Sequence, residues 1–399
     1  MVSNSSISPK SVLSIYTGSF SYNRIHGVRT LDPNGERELN DSTVHCIASM
    51  TKLLTSIAVL QQVERGLIGL DSDVSPLLHE YKDAKIIEGF NENGPILKDI
   101  SNKITLKQTH TIPNRHLLTH TSGMAYNEMN PLLLEWSKRN EIRIGGSPKG
   151  DIDADWNLPL LFDPGTGWIY GTGLDWAGRV VERLNGNIRL ENYMKENIFD
   201  RMGMASTTFR LENRPDLQSR LVGLSERNPE TRTVFHRPGT WLPIGTKHDL
   251  GGAGLFSTPE DYIKVLASIL RNDGNLLQQQ TVDEIFTPQL HGSDVVMLNK
   301  IIHLDGAEGL RTLIPKGTKV NWGLGGVIIS GDLPTGRKAG TMPWGGLPNL
   351  KWFCDRKTGL AGCAFMQIVP SGDKTAIDLY AEFEKDIYEK FKASKGGKL

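Results

Sequence analysis

A serine and a lysine stand three residues apart in Ser49-Met-Thr-Lys52, at the start of an apolar helical segment. On a helix this spacing places both side chains on one face. A serine hydroxyl becomes a nucleophile when a base takes its proton, and a lysine whose pKa is lowered by burial can be that base. Backbone amides at a helix N-terminus can stabilise an oxyanion. The pair predicts acyl-serine chemistry, with a surface turn capped by Ser49 as the alternative.

A tyrosine, Tyr170, lies at the end of a glycine-rich loop, in Trp168-Ile-Tyr170-Gly-Thr-Gly-Leu-Asp-Trp176. A phenol held near a lysine ammonium could exchange protons with the nucleophile and the leaving group. A packed aromatic ring with a hydrogen-bonded hydroxyl is the alternative. Two further glycines occur in Pro343-Trp-Gly-Gly-Leu-Pro-Asn349, before an expected strand, where glycine marks close approach by a backbone or ligand or a bulged turn.

The helix that carries the serine and lysine is predicted from Ala48 to Arg65, because apolar residues recur at helical spacing and Gly66 provides a stop. Residues 11 to 28 read as two short strands around a turn at Gly18. The middle of the chain is predicted to be mainly helical, with helices at Arg115 to Thr121, Leu132 to Lys138, Leu174 to Leu184 and Leu190 to Arg201.

The C-terminal part is predicted to begin with a helix after Ser257-Thr-Pro-Glu-Asp261, which supplies a hydroxyl cap, a proline and acidic residues in the first turn. Strands are expected at 323–330, 351–354 and 360–369, followed by an amphipathic helix at 375–391. Strands at both ends with helices between them predict an α+β fold, in which one antiparallel sheet from both termini is flanked by helices. The predicted domains are 1–75 with 241–399, and an inserted mainly helical domain at 76–240.

These three motifs, in this order, resemble the serine β-lactamase and penicillin-binding-protein superfamily. Further phrases resemble the branch that contains family VIII carboxylesterases and the fungal lovastatin-pathway acyltransferases (transesterases), over roughly residues 40 to 391. They are Thr51-Lys-Leu-Leu-Thr55, Arg115-His-Leu-Leu-Thr-His-Thr-Ser-Gly123, Tyr170-Gly-Thr-Gly-Leu-Asp-Trp-Ala-Gly178, Leu250-Gly-Gly-Ala-Gly-Leu-Phe-Ser-Thr258 and Gly345-Gly-Leu-Pro-Asn349. The resemblance implies a β-lactamase/transpeptidase-like fold with the site between the two domains.

The resemblance also implies roles for individual residues. Ser49 would be acylated, Lys52 and Tyr170 would handle its proton, and the backbone amides of Ser49 and Leu347 would form the oxyanion hole. The residues expected at the oxyanion strand or against the substrate are Leu347, Trp344, Gly345, Gly346 and Thr172.

The sequence departs from the superfamily pattern at two motifs. Trp344-Gly-Gly stands where β-lactamases carry Lys-Thr-Gly, which removes a cation suited to a substrate carboxylate and disfavours antibiotic hydrolysis. Thr172 replaces the asparagine of the second motif. The N-terminus is short for this fold, and Lys107 to Asn114 resembles an insertion.

The function that the resemblance implies is acyl transfer from an ester or thioester to a small-molecule alcohol, in secondary metabolism. An acyl-carrier protein is a candidate donor. Hydrolysis of small esters by a carboxylesterase is the first alternative, and a non-catalytic binding protein that retains the fold is the second. No cofactor is expected, because Gly251-Gly-Ala-Gly254 lacks the lysine and the βαβ frame of a nucleotide loop.

Composition limits the partners. The chain has 399 residues, with Lys+Arg 45 balanced by Asp+Glu 45. The composition therefore lacks the excess of positive charge that is typical of nucleic-acid-binding proteins. No stretch reaches the roughly 20 apolar residues of a membrane helix. Three cysteines and no secretory signal favour the cytosol, with Cys46 as a buried core residue. His116 and His120 lack the glutamate of a metalloprotease motif, so no metal site is predicted.

Overall fold

The computed structural model describes residues 11–17, 20–36, 38–92, 94–99, 112–146, 149–311 and 313–394. The turn predicted at Gly18, the first ten residues, and positions 107 to 111 of the predicted insertion lie outside the described residues.

The strands of the described chain are short and come mostly from its two ends. They are β1 (Ser11–Thr17), β2 (Phe20–His26), β3 (His45–Cys46), β4 (Lys85–Asn91), β5 (Gly94–Asp99), β6 (Leu224–Arg227), β7 (Val234–Arg237), β8 (Phe256–Ser257), β9 (Val320–Trp322), β10 (Val327–Ile329), β11 (Met342–Gly346), β12 (Leu350–Asp355), β13 (Leu360–Met366) and β14 (Ile368–Val369).

Five of these strands form one sheet in the order β11-β12-β13-β1-β2, and every neighbouring pair is antiparallel. Strand β13 places Ala361, Cys363 and Phe365 in the large central core, whereas Leu360, Ala364 and Met366 pack in a second core with the C-terminal helix. This alternation is the period of two that a strand covered on both faces shows. The predicted antiparallel sheet from both termini is confirmed.

The helices surround this sheet and fill the middle of the chain. They are α1 (Thr51–Glu64), α2 (Asn114–Thr119), α3 (Pro131–Arg139), α4 (Ile152–Asp155), α5 (Gly173–Leu184), α6 (Leu190–Met194), α7 (Asp200–Met202), α8 (Pro215–Gln218), α9 (Pro259–Arg271), α10 (Gln279–Ile285), α11 (Gly292–Ile302), α12 (Glu308–Arg311) and α13 (Lys374–Ser394). Single helical turns, four of 3-10 type and one of π type, lie at Ala48–Met50, His79–Tyr81, Asn127–Met129, Leu211–Asn213 and Lys195–Phe199.

Helix α1 is the central helix of the fold. The residues from Thr51 to Gln62 are all buried, so polar as well as apolar side chains of this helix face protein. Gly66, with a φ of 71°, follows the helix end and adopts the left-handed conformation that terminates many helices. The prediction of this helix and of its glycine stop is confirmed. Because α1 is enclosed, a side chain at its start is held by neighbours on several sides.

Several predicted boundaries differ from the structure. Helix α2 ends at Thr119 and not at Thr121, because His120 has a φ of 61°. The strand predicted at 323–330 is only three residues long in β10. The strand predicted at 360–369 divides after Met366, and its last part, β14, pairs in parallel with β6. The helix predicted from 190 to 201 is confirmed: helical residues run without a break from Leu190 to Met202, with a π-helical turn at Lys195–Phe199.

The middle of the chain also contains two hairpins that the sequence analysis did not predict. Strands β4 and β5 pair antiparallel from Lys85 to Asp99, and β6 pairs with β7. The division into 1–75 with 241–399 and 76–240 stays a prediction. One continuous core joins residues of both parts, for example Leu54 with Trp176 and Leu250.

Candidate active site

Ser49 lies in the helical turn Ala48–Met50 that leads directly into α1. Ala48, immediately before it, has a φ of 44°, a conformation that costs a residue with a side chain about 1–3 kcal/mol. The hydroxyl of Tyr262 donates to the backbone carbonyl of Met50 at 2.9 Å and is fully buried. The turn that presents Ser49 is therefore strained and is held in place by the core beneath it.

Lys52 points back along α1 toward Ser49 and is only 2% exposed. Its Nζ atom lies 3.3 Å from Ser49 Oγ, 3.1 Å from the hydroxyl of Tyr126 and 2.7 Å from the backbone carbonyl of Gly252. An ammonium group has three hydrogens to donate, and these three oxygens can receive all of them. The amine is thus fixed next to the serine hydroxyl by contacts from two other segments.

Tyr126, which the sequence analysis missed, faces both Lys52 and a buried carboxylate, Asp175 of α5. Asp175 is 0% exposed and accepts the backbone N–H of Gly252 at 2.8 Å. Burial raises the pKa of Asp175 to about 6, and the nearby Lys52 charge opposes that rise. Burial, followed by the negative charge of Asp175, raises the pKa of Tyr126 well above its usual value. Behind the serine, a carboxylate, a phenol and an amine share one buried region.

Tyr170 lies on the other side of the lysine. Lys52 Nζ is 4.7 Å from the centroid of the Tyr170 ring, a distance that permits a cation–π contact. The Tyr170 ring also packs against His120 at 4.7 Å and Trp344 at 5.3 Å between centroids. Its hydroxyl is buried and has no hydrogen-bond partner within the described ranges. The structure therefore brings Tyr170 together with Lys52.

The glycines of strand β11 let it approach the serine turn. A Cβ atom on Gly346 would lie 2.4 Å from the backbone oxygen of Ile47, two residues before Ser49. A Cβ atom on Gly345 would lie 2.4 Å from the backbone oxygen of Leu350 on the neighbouring strand. Any side chain at either position would force the backbones apart. Leu347, at the end of this strand, is consequently held beside the serine turn.

A cavity of about 250 Å³ opens next to these residues. No aspartate, glutamate, histidine, lysine or arginine is among the described residues that line it. The lining consists of Ser49, Met129, Tyr170, Gly306, Ala307, Gly309, Leu310, Trp344, Gly345, Gly346, Leu347 and Ser371. The structure thus brings together six of the predicted site residues at one cavity, with Lys52 behind it.

Thr172, like Lys52, is a predicted site residue that does not line this cavity. It is 1% exposed and precedes α5, where its backbone carbonyl accepts the amides of Asp175 and Trp176. Its place in the chain therefore fits the start of a helix. A role for Thr172 in substrate binding stays a prediction.

The two histidines of the predicted α2 region are part of the packing. Burial lowers the pKa of His116 to about 4 and that of His120 well below the usual value. A different cluster has ligand-type atoms within 4.8 Å of one another: Asp151, Asp153 and His248. The His248 Nδ1 atom already accepts the amide of Ile152 at 3.1 Å. These residues do not line the cavity at Ser49.

A protein-family model described as Beta-lactamase matches residues 11–385, which is most of the chain. The chain belongs to the beta-lactamase family. The motifs at Ser49, Tyr170 and Trp344 are therefore found in a chain whose whole fold is of this family, and the predicted fold class is confirmed.

Two relatives of this beta-lactamase-family chain carry names that describe acyl chemistry. A protein named monacolin J acid methylbutanoyltransferase from Aspergillus terreus is 37% identical over 383 residues, which cover 94% of this chain and 90% of that protein. A protein named lovastatin esterase from Penicillium rubens is 36% identical over 382 residues, which cover 95% of this chain and 93% of that protein.

A solved structure agrees with these relatives. A mutant of simvastatin synthase from Aspergillus terreus superimposes with a TM-score of 0.88 at 36% sequence identity, covering 96% of this chain and 93% of that one. This beta-lactamase-family chain therefore shares its fold with that enzyme over nearly its full length. None of the helices in the described part of the chain combines the length and apolar character needed to cross a membrane.

Two residues of the site were missed, but the sequence of this beta-lactamase-family chain held a signal for each. Tyr126 follows three residues after the phrase that ends at Gly123, and Asp175 lies inside the phrase that begins at Tyr170. A position near one of these motifs does not show which side chain contacts Lys52. Only the contacts with α1 identify them.

Proposed function

We propose that this chain is a serine acyltransferase that moves an acyl group from an ester or thioester to a small-molecule alcohol in secondary metabolism. The observation that carries the proposal is the 3.3 Å contact between Lys52 Nζ and Ser49 Oγ, beside a cavity that Ser49 and Tyr170 line together. The relative named as a methylbutanoyltransferase supports this reaction class, since its similarity extends over 94% of the chain.

In the first half-reaction, Ser49 Oγ attacks the carbonyl carbon of the donor while its proton passes to the Lys52–Tyr170 pair. The C–O or C–S bond of the donor then breaks, and the same pair returns the proton to the departing alcohol or thiol. Lys52 supports this role through its contact with Ser49, and Tyr170 through its unpartnered hydroxyl within the described ranges. The product is an ester of Ser49.

The negative charge that develops on the carbonyl oxygen needs donors that are already in place. We assign this role to the backbone amides of Ser49 and Leu347. The close approach of Gly346 to Ile47 supports the assignment, because it sets the end of β11 against the serine turn. Such preorganised backbone donors are worth roughly 10²–10³ in rate.

In the second half-reaction, the acceptor alcohol takes the place of the leaving group. The pair at Lys52 and Tyr170 removes the alcohol proton, the oxygen attacks the acyl carbon, and Ser49 leaves with its proton restored. The cavity of about 250 Å³ lies below the roughly 300–1,000 Å³ of sites for drug-sized ligands. It therefore suits one acyl group at a time, with the bulk of the acceptor outside it.

The lining of the cavity also restricts the acyl group. Trp344 is 3% exposed, and Leu310 and Met129 add apolar surface. Among the residues that the structure describes, no lysine or arginine lines the cavity. An uncharged, short acyl chain fits such a surface better than a carboxylate would. A thioester on an acyl-carrier protein is part of this proposal as the donor, because a carrier can deliver an acyl chain while its protein stays outside the cavity.

We also place the enzyme in the cytosol. Cys46 and Cys354 are buried thiols, and burial raises the pKa of Cys46 to about 11, which disfavours its reactive thiolate. Buried cysteines kept as thiols are usual for a reducing compartment. Fractionation of the source cells with an antibody to the protein tests this location.

Hydrolysis is the second candidate, because a relative named lovastatin esterase is similar over 95% of the chain. The two functions share the acyl-Ser49 intermediate and differ in whether an alcohol or water attacks it. An activated acyl thioester, incubated with and without a panel of alcohols, distinguishes them by product ratio. A predominance of free acid at saturating alcohol would assign the chain as an esterase.

A non-catalytic binding protein is the remaining alternative. The direct test is intact-protein mass spectrometry after incubation with a panel of acyl thioesters, followed by peptide mapping. The proposal expects one added acyl mass at Ser49 and none in Ser49→Ala. A folded protein that acquires no mass and is not labelled by a fluorophosphonate would refute catalysis.

A further inference from the structure

The loop from Leu250 to Gly254, which lacks the lysine of a nucleotide loop, lies behind Ser49. The backbone carbonyl of Gly252 accepts Lys52 Nζ at 2.7 Å, and its backbone N–H donates to Asp175 at 2.8 Å. One residue before, the carbonyl of Gly251 accepts the hydroxyl of Thr55 at 2.6 Å. The loop thus connects α1, which carries the reactive pair, with the buried carboxylate of α5.

The geometry points to a lysine cradle, which we define as Asp175, Gly251 and Gly252. We infer that Asp175 is a positioning residue. Its carboxylate fixes the N–H of Gly252, and with it the peptide group between Gly251 and Gly252, so that the carbonyl of Gly252 in the next peptide group is placed to hold Lys52 against Ser49. This inference rests on the proposed acyl-serine function. It assigns a role to a glycine-rich motif and to a buried acid that the acylation steps above do not use.

Glycine is required in the cradle for steric reasons. A Cβ atom on Gly252 would lie 2.3 Å from Asp175 Oδ2, and a Cβ atom on Gly251 would lie 2.6 Å from the backbone oxygen of Leu174. Neither distance is compatible with a real side chain. Glycine at both positions therefore allows the loop to lie directly on α5 while its two peptide groups face α1.

The carboxylate suits this task because it is charged and enclosed. Hydrogen bonds from a backbone N–H to an ionised group are about twice as strong as those between neutral groups. The titratable groups that face Asp175 are Lys52 from α1 and Tyr126 from the loop after α2. A buried ammonium without a nearby anion is strongly disfavoured, so the carboxylate also balances the charge of Lys52.

The ionisation of Asp175 should therefore be visible in the reaction. Its pKa is raised to about 6 by burial, so the carboxylate is the dominant form at neutral pH and is lost as the pH falls through 6. We expect the rate of Ser49 acylation to fall along the same limb, because a neutral Asp175 anchors the Gly252 peptide less firmly.

The test uses three variants of the full-length protein and the rate of labelling by a fluorophosphonate between pH 5 and 8. Asp175→Asn keeps the shape and an acceptor for Gly252, and should lower the rate about tenfold and abolish the acid limb. Asp175→Ala and Gly252→Ala should each lower the rate about 100-fold, which is the scale of a lost positioning contact. Gly331→Ala is the matched control, since no atom lies within 4 Å of its added Cβ.

Two outcomes overturn the cradle. One is an Asp175→Asn protein that melts at a lower temperature but labels at the wild-type rate with the acid limb retained, as a purely structural residue would. The other is a folded Gly252→Ala protein as fast as Gly331→Ala. If Asp175→Ala does not fold, Asp175→Asn decides alone. Failure of the proposed function is distinct: wild-type protein would then carry no label at Ser49 at any pH.

Discussion

The replacement Tyr170→Phe should stabilise the protein and, at the same time, remove most of its activity. The Tyr170 side chain is 6% exposed, and its hydroxyl lacks a hydrogen-bond partner within the described ranges. A buried hydroxyl without a partner costs about 1–3 kcal/mol. Phenylalanine retains the ring contacts with His120 and Trp344 and removes the hydroxyl, so the free energy of unfolding should rise by about 1–3 kcal/mol.

The same replacement removes a proton-transfer group. A positioned acid or base contributes typically 10²–10⁴-fold in rate, so acylation of Ser49 by an activated ester should slow by about that factor. Stability gained at the cost of activity is the signature of a polar group that is kept for function and not for folding. A packed aromatic residue with a hydrogen-bonded hydroxyl and no role in the reaction predicts neither change.

Tyr126→Phe is the matched comparison, because the Tyr126 hydroxyl has a partner. It lies 3.1 Å from Lys52 Nζ. Removal of an acceptor for a charged group costs about 1.5–3 kcal/mol, so this variant should be less stable than wild type. Lys52 keeps its contacts with Ser49 and Gly252, so the loss of rate should be smaller, about tenfold.

Urea denaturation followed by tryptophan fluorescence measures the free energy of unfolding of both variants. The burst of leaving group released from an activated acyl ester measures the rate of Ser49 acylation. We expect Tyr170→Phe to raise the free energy of unfolding and Tyr126→Phe to lower it. Both variants should acylate Ser49 more slowly than wild type. If Tyr170→Phe were less stable than wild type, or acylated Ser49 at the wild-type rate, the assignment of its free hydroxyl to the reaction would be wrong.

Three further predictions concern the serine, the strand beside it and the pH dependence of folding. Ser49→Ala should fold normally and show neither labelling by a fluorophosphonate nor turnover; residual turnover would place the nucleophile elsewhere. Gly346→Ala should reduce acylation at least 100-fold, because its Cβ would lie 2.4 Å from the oxygen of Ile47, and equal rates in Gly346→Ala and Gly331→Ala would contradict this. Burial lowers the pKa of His116 from 6.5 to about 4, so protons bind the unfolded chain before they bind the folded protein. The free energy of unfolding is therefore unaffected by this residue above pH 6.5 and falls by roughly 3 kcal/mol as the pH falls from 6.5 to 4. Urea melts of wild type and His116→Asn across this window should converge toward pH 4, and parallel curves would refute the reasoning.

Much of the sheet and of α1 could be predicted because the signals were local. The apolar spacing from Ala48 and the stop at Gly66 identified α1, and strand-like runs at both ends identified the sheet. The errors fall where long-range contacts decide. Strand β14 exists because Ile368 and Val369 pair in parallel with β6, more than 140 residues away, and His120 ends α2 in a left-handed conformation beside Tyr170 and two tryptophan rings.

The hairpin from β4 to β5 was not predicted, although its signal in the sequence is local. Its sequence holds an Asn-Gly pair at 93–94 between two apolar runs, which is a strong hairpin signal. The prediction assigned this segment only to the mainly helical part at 76–240, so the hairpin was missed. The two strands bring this segment to the loop at Leu160, where Ile87 donates its amide to that residue's carbonyl at 2.9 Å.

The sequence by itself determined the local half of the proposed active site. Ser49 and Lys52 face one another because three residues along a helix bring side chains together without help from the rest of the chain. The glycines at 345 and 346 and the apolar Trp344 likewise indicated a close, uncharged approach through their residue types alone.

Only the tertiary structure decided how Lys52 is held. Its contacts with Tyr126 and Gly252 cross 74 and 200 positions of the chain, and Gly252 in turn donates its N–H to the carboxylate of Asp175. A sequence motif reports only the spacing of residues that are close together in the chain. Contacts between distant segments depend on how the core closes around α1, and that is set by the packing of the whole fold.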